Sequence, residues 1–271
     1  MTSDGTERYW DEVAAARQED KLGGLWRRHA DAVNAALLER WLAPGRAARI
    51  LKTDVFDEAF GEGLYPLLAA HADHVVGTDI SRTILAAAGE RHPGLETVQA
   101  DVRRLPFDED SFDVVVSIST LDHFESRDEI LAGLIEMTRV LRPGGQLFLT
   151  LDNLANPVIF LRNALPLRWL MGLRVVPYYV GATCGPRRLA RYAGEAGLDV
   201  LESAAIMHCP RVLAVPLARR LARKGTDRGR ERLLRALRSF EKLARWPTRF
   251  LTGHFAAIRA TKHGPANGGD A

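Results

Sequence analysis

Four short segments, in a fixed order along the chain, carry the residue types that nucleotide chemistry requires. The first, Val55-Phe56-Asp57-Glu58-Ala59-Phe60-Gly61-Glu62-Gly63, has two apolar residues, an acid, and then small residues at every second position. Where a strand turns into a helix, a Cβ holds a ligand away from the backbone, so small residues there admit close approach. The helix start also presents N–H groups that have no partner within the helix. Asp79 follows Gly63 by 16 residues and ends a short apolar run. A carboxylate at that place can accept from both hydroxyls of a ribose, although Asp79 and Ser81 can also cap the next helix. Asp101 ends a third run, Glu96 to Ala100. The fourth segment, Ser117 to Phe124, reads SISTLDHF. Its His123, with an ordinary pKa of about 6.5, is suited to moving a proton near neutral pH, and it is equally able to serve as a packing group.

Taken together, these segments resemble the class I S-adenosylmethionine (SAM)-dependent methyltransferases, with a core like that of the ubiquinone and menaquinone methyltransferases. That resemblance extends from about residue 45 to 152. The family's first motif is two apolar residues, an acid and three alternating glycines, matched by Asp57, Gly61 and Gly63 with Ala59 in the first glycine's place. A frame using Asp54 as the acid puts Phe56 and Glu58 on glycine positions and is set aside. The resemblance implies SAM as cofactor. It places Asp57 near the methionyl amino group, Asp79 with Ile80 at the ribose, and Asp101 with Val102 at the adenine. It further implies Ser119 as a cofactor contact, and Leu121, His123 and Phe124 as the wall of the methyl-transfer cavity. Leu105-Pro106-Phe107 and Arg142-Pro143-Gly144-Gly145 belong to the same pattern, and Asp113 reads as structural. NAD is disfavoured, because its GxGxxG turn would place Pro66 at the third glycine.

Positioning these groups requires alternating strands and helices. Residues 26 to 43 have helical periodicity, stopped by Pro44-Gly45. Strands are expected at Arg49 to Phe56, His74 to Thr78, Glu96 to Ala100, Phe112 to Ser119 and Gln146 to Leu151. Helices are expected at Leu64 to His71, Ser81 to Arg91 and Asp128 to Leu141. A further helix, Pro186 to Ala196, precedes strands at Leu198 to Met207 and Gly253 to Thr261. This rhythm predicts an α/β fold: a Rossmann-like, seven-stranded, mostly parallel sheet with helices on both faces and an antiparallel last strand. Ligands in such sheets bind at the carboxyl ends of the strands. The expected organisation is an N-terminal helical cap over 1–44 and a methyltransferase domain over 45–262. Insertions at 153–185 and 208–250 follow strands 5 and 6 and form a substrate lid, and 263–271 is expected to be a disordered tail. The first insertion holds Phe160, Trp169, Met171, Tyr178 and Tyr179, and the two tyrosines are candidate acceptor contacts.

Composition bounds the alternatives. Of 271 residues, 46% are hydrophobic and 26% charged, with a net charge of +3, the profile of a globular protein. Cys184 and Cys209 have no metal-ligand spacing, and no metal site is expected. They suit a reducing cytoplasm; with no apolar leader run, the expected location is cytoplasmic. No stretch combines basic and aromatic residues in the manner of a nucleic-acid groove. Arg219 to Arg238 contains nine Lys/Arg against two acids, either a solvated helix face or a surface for weak contact with an anionic membrane. The leading expectation is therefore a small-molecule methyltransferase acting on a hydrophobic or aromatic acceptor, with oxygen favoured as the methylated atom. The alternatives are a non-catalytic SAM-binding scaffold and a peripheral membrane enzyme acting on a lipid or isoprenoid.

Overall fold

A computed structural model describes residues 3–19, 24–165 and 179–264. Seven strands form one sheet in the order β3-β2-β1-β4-β5-β7-β6. They are β1 Ala47–Lys52, β2 Ala72–Asp79, β3 Glu96–Gln99, β4 Phe112–Ile118, β5 Leu141–Asp152, β6 Leu198–Ile206 and β7 Phe255–Lys262. The first five run parallel, while β7 is antiparallel to both β5 and β6. The order reverses between β1 and β4, the place where a crevice opens at the strand ends.

The helices are α1 Ser3–Glu19, α2 Gly24–Trp41, α3 Phe56–Phe60, α4 Tyr65–His71, α5 Arg82–Arg91 and α6 Arg127–Val140. They continue with α7 Pro157–Ala164, α8 Pro186–Glu195, α9 Arg211–Lys224, α10 Asp227–Ser239 and α11 Arg249–Thr252. Two apolar cores occupy the two faces of the sheet. One packs α2 residues such as Leu38 and Trp41 on Ile50, Val114 and Phe148; the other packs Leu134 and Met137 of α6 and Leu189 of α8 on Val115, Leu147 and Leu149. Local chemistry sets the helix starts. Ser81 Oγ accepts from Ile84 N at α5, and Ser126 with Glu129 forms a reciprocal capping box at α6.

Two expectations change. β1 ends at Lys52 rather than Phe56, because Asp54 Oδ1 accepts from Phe56 N at 2.9 Å and turns the chain into α3. Arg142 to Gly145 lies within β5 rather than between α6 and a later strand. The segment 1–44, expected as a helical cap, carries α1 and α2. Residues 265–271 of the expected tail and residues 166–178 of the first insertion, with Trp169, Met171 and Tyr178, lie outside the described residues.

The turn after β1 is built on an ion pair. Lys52 Nζ lies 2.8 Å from Glu58 Oε2, with side-chain exposures of 5% and 0%. Glu58 Oε1 accepts from Leu64 N at 2.8 Å. Gly63 has φ +56°, and a Cβ there would lie 2.5 Å from Glu58 Oε1. Gly63 is therefore small because the chain must close over this carboxylate. Removing one partner leaves a buried charge uncompensated. Glu58→Gln should lower unfolding stability by about 3–5 kcal/mol in urea titration, and pairing it with Lys52→Met should recover much of that loss.

Candidate active site

The carboxyl ends of β1, β2 and β4, the segments after β3 and β6, and helices α1, α2 and α9 enclose one cavity of about 310 Å³. Among the residues singled out from sequence, Asp57, Asp79, Ile80, Asp101, Val102, Ser119, His123, Phe124 and Tyr179 line it. Ala59, Gly61, Gly63 and Leu121 are not among its lining residues. Ala59 is buried in the core, and the Gly61 carbonyl accepts from His92 Nε2 at 3.2 Å. Leu121 is fully buried against Gly133 of α6. The strand-to-helix turn is instead Thr53-Asp54-Val55, and Thr53, Asp54 and Phe56 line the cavity. The glycines fall between α3 and α4, one helix later than their spacing implied. The signal for the true turn was an Asp two residues ahead of an acidic helix start, a local capping pattern.

Four carboxylates gather on the strand ends. Asp79 Oδ1 accepts from Ser81 N at 2.9 Å, and Oδ2 from Val55 N at 3.4 Å. Burial and then the Asp54 charge raise Asp79 to about 7, against these hydrogen bonds and Lys52. Asp57 opens onto the cavity with its side chain 42% exposed, beside Arg27 Nε at 3.7 Å. Desolvation by the surrounding protein, followed by the Asp54 and Glu58 charges, raises it to about 6 against Lys52 and Arg27. Asp101 is engaged by Arg103, whose Nε lies 3.0 and 3.1 Å from its two oxygens. Arg103 also pairs with Glu129 and lies over the Phe124 ring.

At the end of β4, Ser119 adopts φ +56° and Met207, after β6, adopts φ +60°. Both line the cavity; such left-handed non-glycine backbone is uncommon and concentrates at binding sites. Ser119 Oγ donates to Asp122 Oδ2 at 2.7 Å. Asp122 is buried rather than turned to solvent, and its Oδ1 has no hydrogen-bond partner. Burial and then the Asp152 charge raise it to about 6. His123 donates through Nδ1 to the Tyr179 carbonyl at 3.1 Å, and its Nε2 lies 3.7 Å from Asp122 Oδ1. Trp10 of α1 stands edge-on to His123 at 4.7 Å, and Tyr9 Oη accepts from Tyr179 N at 2.6 Å. Sequence reading missed these α1 contacts, as well as Trp26 and Asn34 of α2 and Arg211 of α9, because each reaches the cavity only through tertiary packing.

Residues 56–149 match a family profile described as a methyltransferase domain. The chain is 37% identical over 143 residues to a demethylmenaquinone methyltransferase of Clavibacter sepedonicus, covering 51% of this chain and 54% of the relative. It is 31% identical over 137 residues to a phthiotriol/phenolphthiotriol dimycocerosates methyltransferase of Mycobacterium leprae, covering 49% and 50%. Residues 56–149 of this chain form a methyltransferase domain. The alignments span about half the length of these relatives. The fold of this chain is shared with the putative methyltransferase in complex with the Haloferax volcanii Trm112 activator. That match has a TM-score of 0.61 and 18% identity, with 93% of this chain and 98% of that chain covered.

Several further polar residues serve the fold. His254 Nε2 lies 3.3 Å from Asp152 Oδ1, and Arg162 Nη2 lies 2.6 Å from Asp152 Oδ2. Burial pushes Asp152 up, but these two partners win and hold it well below the carboxylate range. His208 contacts Thr252 Oγ1 at 2.7 Å. Asp113 accepts from Arg49 N at 2.7 Å and pairs with Arg142. Cys184 and Cys209 are buried free thiols, and the described residues contain no cluster fitted to a metal. Phe160 is 60% exposed and does not line the main cavity. No described helix is long and apolar enough to cross a membrane.

The segment after residue 178 clamps the His123 loop: Gly181 N donates to the Asp122 carbonyl at 2.8 Å and Ala182 N to the Phe124 carbonyl at 2.7 Å. A Cβ on Gly181 would overlap the Phe124 carbonyl. Gly181→Ala should cost about 1–3 kcal/mol by forcing these strands of chain apart. Thermal unfolding should show the loss, and the tryptophan emission of Trp10 beside His123 should shift.

Proposed function

We propose that this protein transfers a methyl group from SAM to a small, hydrophobic or aromatic acceptor, with oxygen as the methylated atom. The observation that carries the reading is one cavity with two chemically different ends. Carboxylates stand along the strand ends, and Tyr9, Trp10, Trp26 and Phe124 wall the remainder. The helices α1 and α2 and the segment 208–250 supply the acceptor side, with Tyr179 the contribution of the 153–185 insertion among the described residues. The two curated relatives are named for demethylmenaquinone and for phthiotriol/phenolphthiotriol dimycocerosates; the acceptor class proposed here rests on the cavity walls.

The residues present suit SAM. Burial and then the Asp54 charge hold Asp57 and Asp79 above the usual carboxylate range, so these acids lack a compensating cation. A ligand with an ammonium and a sulfonium supplies what they lack. By resemblance, Asp79 with Ile80 holds the ribose, Asp101 with Val102 the adenine, and Asp57 the amino group, with Ser119 at the methyl-bearing end. When bound, SAM supplies an activated methyl for in-line displacement. The chain supplies alignment and a water-poor cavity, which is where most of the barrier reduction in such a reaction originates.

A cation favours the deprotonated carboxylates, so binding releases protons. Groups raised to about 6 and about 7 therefore make affinity climb as pH rises through that interval. Calorimetry should show SAM binding strengthening from about pH 5.5 to 8, more steeply than S-adenosylhomocysteine, which lacks the sulfonium charge. Asp79→Ala should weaken both ligands by about tenfold or more. Unchanged affinity would remove Asp79 from the ribose role, and a wild type that binds neither ligand would sink the reading.

His123 is proposed as the base for a protic acceptor. The Tyr179 carbonyl fixes the proton on Nδ1, so the neutral ring keeps its lone pair on Nε2. Buried Asp122 lies 3.7 Å away to compensate the imidazolium. His123→Gln should lower kcat about 10²–10⁴-fold while sparing cofactor affinity. A loss below about tenfold would assign His123 to packing instead.

A further inference from the structure

The acceptor end of the cavity has a chemistry that neither the fold nor the cofactor requires. α9 carries Arg211, Val215 and Arg219 at successive intervals of four, and all three line the cavity. This spacing puts them on one helix face. The neighbouring stripe, Ala214 and Ala218, is buried in the core that also holds α2, so α9 is anchored with its arginine face inward. Arg211 is half-buried and oriented: its guanidinium lies over the Trp26 ring at 5.7 Å, and Nη1 lies 3.0 Å from His254 Nε2. Arg219, two turns further on, is exposed at the cavity mouth. Opposite them on α2, Asn34 lines the cavity while only 6% exposed, and its Oδ1 has no hydrogen-bond partner. No carboxylate of α9 or α2 is among the lining residues, and Asp31 of α2 lies toward Asp57 and Arg27.

We propose that α9 and α2 form an acceptor subsite for an amphiphilic molecule bearing a phosphate or carboxylate. Its anionic group sits on Arg211 and Arg219 near the mouth. Its apolar body lies against Trp26 and Val215, and a polar substituent meets the Asn34 amide. Guanidinium groups recognise such anions through paired, charge-assisted hydrogen bonds. The reactive end of the acceptor then enters first, toward Ser119 and His123, while the charged end stays where its desolvation is least costly. This inference rests on the methyltransferase reading and specifies its acceptor.

The test uses the full chain loaded with S-adenosylhomocysteine and three aromatic probes of matched shape: 1-naphthyl phosphate, 1-naphthoate and 1-naphthol. Calorimetry should show the two anions binding about tenfold or more tighter than the naphthol, with an advantage that shrinks as salt rises. Arg219→Gln and Arg211→Gln should each remove most of that advantage, and Arg211→Lys should restore part of it. S-adenosylhomocysteine affinity, measured on the same variants, reports that they are folded. Equal affinity for all three probes, or anion binding untouched in both glutamine variants, overturns the subsite while leaving the methyltransferase reading in place. Failure of the wild type to bind S-adenosylhomocysteine overturns that reading and the subsite with it. Co-sedimentation with phosphatidylglycerol vesicles, lost in the glutamine variants, would assign the anion to a lipid headgroup. Naphthyl phosphate binding without vesicle binding would assign it to a soluble acceptor.

Discussion

The buried pair between Lys52 and Glu58 is the constraint on which the site depends. It joins the last residue of β1 to α3, and through Leu64 N it ties in the start of α4. The Thr53-Asp54-Val55 turn is held between these anchors, and with it the position of every group on the first strand end. A pair with both partners almost wholly out of water costs a great deal to desolvate, and holds only because each charge finds the other and further hydrogen bonds. Gly63 follows from it, since a side chain there would occupy the space of the Glu58 carboxylate. The glycine spacing is thus a packing requirement of an ion pair, located behind the cavity rather than in it.

With the turn fixed in this way, carboxylates rather than bare glycine backbone line this end of the cavity. Asp54, Asp57 and Asp79 face a common space, and the last two are raised by burial and by their neighbours' charges. A site poised like this gains most from a cation, because ligand charge relieves repulsion already present. The far end of the cavity has the opposite character, with arginines on α9 and aromatic rings from α1 and α2. One cavity therefore has a negative end and a positive, apolar end. Between the two stand Ser119, Asp122 and His123, held by the backbone clamp from residues 179–182.

Among the described residues, two of the three non-glycine positions with left-handed backbone line the cavity, and the third, Asp110, lies in the turn before β4. Ser119 and Met207 both take left-handed conformations at strand ends, a cost that the surrounding structure has to offset. Ser119 is stabilised by its bonds to Thr150 and Asp122, so the strain is tied directly to the residue beside His123.

The sequence by itself determined the fold class and most of the strand-end acids. Alternating strands and helices are written in local periodicity and capping. Asp79, Asp101 and Ser119 each end a recognisable apolar run, and the Ser81 and Ser126 helix starts carry their own chemistry. The first turn carries a faint local mark, Asp54 ahead of Phe56, but tertiary structure decided where it lies, because a lysine at a strand end gives no sign of its partner six residues on until the two are buried together. It also decided that Leu121 faces the core while His123 and Phe124 face the cavity, a choice made by the packing of Leu121 on Gly133. The acceptor end was least legible. Tyr9, Trp10, Trp26, Asn34, Arg211 and Arg219 come from three helices distant in sequence, and no local pattern records that these helices meet over one cavity.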